Sequence, residues 1–196
     1  MKVVNWDVLN PGAARSGTRE PSSISAASNP LKYIDPTGLD VIFGSPDLQT
    51  SWNQAKAADP ILAFEMGRLE SDHNVNVLVQ ADPYGAEIQN AGGGFADPLG
   101  KQWVDGARHF TGTIHVNSTA NANTYCKAGL KPSMPALLAH EAGHYVADIY
   151  YGLDYSSGVL VPSLFRQNYA MAIDMENLAQ SGLGLPIRTQ ANLPHY

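Results

Sequence analysis

One run, Leu137-Leu138-Ala139-His140-Glu141-Ala142-Gly143-His144-Tyr145, constrains this chain more than any other stretch. Two histidines four residues apart fall on one face of a helix, where both imidazoles can reach a single tetrahedral metal. The glutamate after the first histidine then points toward a water at that metal. The flanks predict a helix. Ser133 is an N-cap residue, and Pro135 sits in the first turn, where a missing N–H costs nothing. Leu137, Leu138, Val146 and Ile149 give it apolar anchors, and Gly152 marks its C-terminal stop. The pattern therefore calls for zinc on His140 and His144, with Glu141 as general base.

A zinc site of this kind keeps three protein ligands and one open position. The third ligand has to come from later in the chain. From Pro162 to about Gly182 runs a second helical pattern, with Leu164, Tyr169, Ala170, Ile173, Asn177 and Leu178 spaced for a packed face. Glu176 shares a face with Ile173 and Gln180, and a carboxylate turned inward there needs a metal or a cation beside it. Glu176 is the first candidate and Asp174 the second. Asp148 follows His144 by four residues and is read as orienting an imidazole or facing solvent. Tyr145, Tyr155, Tyr169 and His115 are the candidates to steady a developing oxyanion.

At 196 residues the chain suits one domain with a real core plus an extension. A net charge of −6 with no lysine or arginine cluster argues against nucleic acid as a partner. Cys126 is the only cysteine, so no disulfide forms within the chain. The opening residues lack the apolar run of a secretory signal, and no stretch reaches the length of a membrane span.

In chain order, residues 1–39 read as a linker rich in turn formers, and 40–196 as the folded domain. Val41–Phe43 and Val75–Val79 are strand candidates, and Asp47–Ala58 and Ile61–Glu70 helical ones, parted by Asp59-Pro60. Residues 81–107, with the Gly92-Gly93-Gly94 triplet, read as a long irregular excursion. Thr111–Asn117 reads as a strand, and likeness to zincin-type folds, in which the strand before the active helix is commonly an edge, implies a sheet edge to which an extended peptide could add. Its His115 alternates with Ile114 and Val116, and it and His109 are read first as solvent-facing. The expected class is α+β, with a small, mostly antiparallel sheet packed on the His140–His144 helix and on a second, C-terminal helix.

Two stretches resemble known families. Asn29-Pro30-Leu31-Lys32-Tyr33-Ile34-Asp35-Pro36-Thr37-Gly38-Leu39 resembles the signature that closes the core of Rhs-repeat proteins, just before their variable toxin domains. That resemblance implies self-cleavage near Leu39-Asp40, delivery with an Rhs core by a signal-independent route such as type VI secretion, action in a target-cell cytoplasm, and a cognate immunity protein. Leu137–His144, then Ala170–Asn177 and Gly184-Leu185-Pro186-Ile187-Arg188, resemble the NleD-like effector metallopeptidases, which implies a zincin-like fold and a polypeptide substrate. Members of that family often carry acidic residues where this chain has Asn168 and Tyr169. The function expected is a zinc endopeptidase acting as a toxin. Its rivals are a zinc-binding domain without turnover, for which Cys126 would be an extra ligand, and a zinc amidase acting on the cell wall.

Overall fold

In a computed structural model the described residues are 41–81, 94–117, 133–154 and 162–188. The chain divides between Lys32 and Tyr33, and every described residue belongs to the unit Tyr33–Tyr196. The motif at Asn29–Leu39, the Leu39-Asp40 junction, Cys126 and Tyr155 lie outside the described residues.

Five strands and four helices are described: β1 (Val41–Phe43), α1 (Pro46–Ala58), α2 (Pro60–Ser71), β2 (Val75–Ala81), β3 (Gly94–Ala96), β4 (Gly100–Val104), β5 (Ala107–Val116), α3 (Met134–Tyr151) and α4 (Pro162–Gly182). The class is α+β, as expected. Helix ends follow local chemistry. The Ser45 hydroxyl caps α1 by accepting from the Leu48 N–H, and the Asp59 carboxylate caps α2 by accepting from the Ile61 N–H at 2.7 Å. Asp59 is also the C-cap of α1, so Asp59-Pro60 ends one helix and starts the next.

The sheet is mixed rather than mostly antiparallel, with order β1-β2-β5-β3 and β4 pairing β5. β1 and β5 both run parallel to β2, while β3 and β4 run antiparallel to β5. The parallel pairing follows from the connection: two helices carry the chain from the end of β1 back to the start of β2. β5 is therefore interior, not the edge expected of it. The outer edge on that side belongs to β3 and β4, both within the stretch expected to be irregular.

Register sorts the faces. Val41 pairs with Val77, Val79 with Ile114, and Ala96 with Ile114, so these buried residues share one face. Asn76, Gln80, Thr111, Thr113 and His115 alternate with them and fall on the other. Helices α1 and α2 fill the first face with Leu48, Trp52, Leu62, Met66 and Leu69, all in one core with the sheet valines. Trp52 is fully buried and donates its indole N–H to Glu70 at 2.8 Å, which ties α1 to α2.

Helix α3 is the centre of this layer. Every residue from Pro135 to Asp148 is buried, so the helix is enclosed on all sides by β3, β5, α1, α2 and α4. Its ends are those the sequence predicts. The Ser133 hydroxyl accepts from the Ala136 N–H, Pro135 lies in the first turn, and Gly152 takes the left-handed conformation with φ 67°. Gly143 is needed where α3 meets α4, because a Cβ there would stand 2.7 Å from the Ala172 Cα.

Candidate functional site

The contact between α3 and α4 sets the site. His140 faces Glu176, Gly143 faces Ala172, and His144 faces Asn168, so the two helices run antiparallel with one shared seam. His140 and His144, one turn apart, bring their ring centroids to 5.0 Å with planes at 85°. Both are buried, as is Glu141, the residue after His140.

Each imidazole is met at Nδ1. For His144 the partner is the Asn168 side-chain oxygen at 2.6 Å, and Asn168 in turn donates to the carbonyls of His144 (3.0 Å) and Leu153 (2.7 Å). For His140 it is Glu176 Oε2 at 3.0 Å. That contact is close enough for an ion pair but outside hydrogen-bond alignment, and neither atom has another hydrogen-bond partner. We read it as an electrostatic contact that orients the ring. The other Glu176 oxygen accepts from Arg188 Nε at 2.8 Å.

Arg188 reaches that point because Asn177 clamps its backbone. The Asn177 side-chain oxygen accepts from the Arg188 N–H at 2.7 Å, and its amide donates to the Arg188 carbonyl at 3.1 Å. The chain returns toward α4 through Gly184, which has φ 69°. Glu176-Asn177 and Arg188 thus work as one device: Asn177 holds Arg188, and Arg188 holds Glu176.

Glu141 lies under β3. Its carboxylate accepts from the Ala96 backbone N–H, and a Cβ at Gly94 would come 2.6 Å from Glu141 Oε1. A side chain at Gly94 would displace that carboxylate, so the glycine lets the strand pass close over it. Burial pushes the Glu141 carboxyl up to about 7, with His140 lowering it and Glu176 raising it. Burial, with His140 adding to it, pushes His144 down to about 3. At neutral pH His144 is therefore a neutral imidazole able to offer a lone pair, and Glu141 is poised to take or give a proton.

The other expected site residues fall elsewhere. Tyr145 Oη sits 2.9 Å from the Asp97 carbonyl and 2.8 Å from the Thr113 carbonyl, so it fastens α3 to the sheet and does not face the histidine pair. His115 meets Gln80 through Nδ1 and Asp97 through Nε2, on the sheet face opposite α3. Asp174 is exposed, off the Glu176 face. Asp148 neither orients an imidazole nor faces solvent: Lys101 Nζ bonds it at 2.8 Å, while burial raises its pKa. Tyr169 does stand at the pair, its ring centroid 5.6 Å from His140 and 5.8 Å from His144, backed by a stacked Phe165.

The donor set fits a zinc ion at two positions. His144 Nδ1 is hydrogen-bonded to the Asn168 oxygen and His140 Nδ1 lies against Glu176, so in each buried imidazole Nε2 is the nitrogen that would hold a metal. The third position is the one Glu176 is expected to fill. Among the described residues, no group of three or more His, Cys, Asp or Glu side chains could hold a metal ion together. Glu176 is spent on His140 and Arg188. Asn168 and Arg188 carried no assigned role in the sequence, and only their place across the seam reveals one.

Comparison of the chain with protein-family models, with curated proteins and with solved structures finds no match.

Proposed function

We propose that this chain is a zinc-dependent endopeptidase of zincin-like fold, the toxic tip of an Rhs-type effector. The observation that carries the catalytic part is the placement of Glu141, a buried carboxylate that accepts from the Ala96 N–H under β3 and follows His140 on the helix whose two buried imidazoles stand 5.0 Å apart. A zinc ion held by His140 and His144 would polarise the scissile carbonyl and activate water for attack. Glu141 takes the proton released in attack and returns it to the leaving amine, a role its raised pKa suits near neutral pH. The outer edge of β3 beside Glu141 suits an extended peptide, which would add through backbone hydrogen bonds. No described helix is long and apolar enough to cross a membrane.

Delivery with an Rhs core, entry into a target-cell cytoplasm and a cognate immunity protein are supported by the Asn29–Leu39 motif alone. The engagement of both Glu176 oxygens, by His140 and by Arg188, favours a second reading, a zinc-binding domain without turnover. Metal analysis and cleavage of a mixed peptide library, run beside purified peptidoglycan, separate these. About one zinc per chain, with peptide cleavage lost in Glu141→Gln, is the expected result. Cleavage by Glu141→Gln at the wild-type rate overturns the mechanism. Bound zinc without any cleavage supports the second reading, and cleavage of peptidoglycan alone makes the protein an amidase.

A further inference from the structure

Three rings stand mutually close in the site: His140, His144 and Tyr169. Their centroid separations are 5.0, 5.6 and 5.8 Å. A tetrahedral zinc with metal–nitrogen bonds of about 2.0–2.1 Å puts two imidazole centroids about 5 Å apart. With a similar oxygen distance, it puts an imidazole and a phenolate centroid about 6 Å apart. The observed separations match those of two imidazoles and one phenol around a single ion.

The backbone holds Tyr169 there firmly. Its neighbour Asn168 is fully buried and fixed by bonds to His144 and Leu153. The close approach of Gly143 to Ala172 brings that turn of α4 against α3. Glu176, one face and two turns further along α4, is committed to His140 Nδ1 and to Arg188. From this geometry we infer that Tyr169 supplies the third protein donor to zinc, as a phenolate, while Glu176 positions His140 from behind. The inference rests on the zinc reading above. Chemically it is balanced: the phenol releases its proton to solvent on binding, and the phenolate brings the single negative charge that a carboxylate would.

The test uses the full chain stripped of metal and titrated with zinc. Wild type is expected to show a tyrosinate difference absorption that saturates at one zinc per chain. Tyr169→Phe is expected to lose that signal and bind zinc more than about 100-fold more weakly by chelator competition, beyond the 10–100-fold typical of outer-shell partners. Glu176→Gln should keep the tyrosinate signal while weakening zinc by about 10-fold. Tyr169→Glu should bind zinc with no tyrosinate signal. The wild-type spectrum needs no variant to fold, so it decides by itself: zinc bound without a tyrosinate signal overturns the assignment. Loss of binding in Glu176→Gln with none in Tyr169→Phe makes Glu176 the ligand and overturns it too. A wild-type chain that binds no zinc removes the zinc reading itself, and the assignment with it.

Discussion

The two ends of the α3–α4 seam solve the same problem with different chemistry. At one end His144 is held by a neutral amide, Asn168, whose remaining donors close two backbone carbonyls. At the other end His140 is held by a carboxylate, Glu176, which itself depends on Arg188. The neutral end is local and complete, since one buried side chain meets all its partners. The charged end is a relay, and it works only if the chain beyond α4 folds back. A buried carboxylate without a cation is costly, so that relay is also where the structure is most easily broken.

Glu141, buried under β3 beside the seam, gives the largest effect. Glu141→Gln should lower kcat/KM on a cleaved peptide by about 10²–10⁴-fold, the range of a lost general base, with zinc content unchanged. Arg188→Ala comes next. It strands a carboxylate that is 2 % exposed, and urea denaturation should report a loss of about 4 kcal/mol. Adding Glu176→Gln to that variant removes the stranded charge and should recover most of the loss. A double variant no more stable than Arg188→Ala would mean that the relay is not electrostatic.

The third prediction concerns pH. Glu141 has a folded pKa raised from 4.5 to about 7, so its burial costs nothing while it is protonated, and the cost grows as pH rises through that window. Metal-free Glu141→Gln should therefore match wild type near pH 4 and exceed it above pH 7, by up to about 3 kcal/mol. His144, depressed to about 3, destabilises both proteins as pH falls from 6.5, so it cancels in the comparison. A stability difference that does not change with pH would remove the ionised Glu141 from the account. Asn168→Ala tests the neutral end and should cost about 2 kcal/mol, from buried carbonyls left without donors. Smallest is Gly143→Ala, in the middle of the seam. Its Cβ crowds the Ala172 backbone, but alanine favours the helix, so a net loss of about 1 kcal/mol is expected in thermal melts.

Local chemistry was legible wherever a residue acts on its near neighbours. Ser133, Pro135 and Gly152 bound α3 as their types require, and Asp59-Pro60 divides α1 from α2. The β4–β5 hairpin also carried a signal, the Asp105-Gly106 pair with φ of 49° and 81°, which suits a two-residue turn. Reading 81–107 as one excursion passed over it. β3 carried no such signal, because three residues are too short for any period.

The sequence by itself determined the helix that places His140, Glu141 and His144 on neighbouring positions, because a four-residue spacing and the caps around it are properties of the local chain. Only the tertiary structure decided which side chains meet those rings. Asn168 meets His144 across 24 positions of sequence, Glu176 meets His140 from the same helix, and Arg188 in turn reaches Glu176 from 12 positions further on. Contacts of that kind depend on how two helices pack, and packing is settled by the fit of whole faces, here at Gly143 against Ala172, rather than by any spacing along the chain.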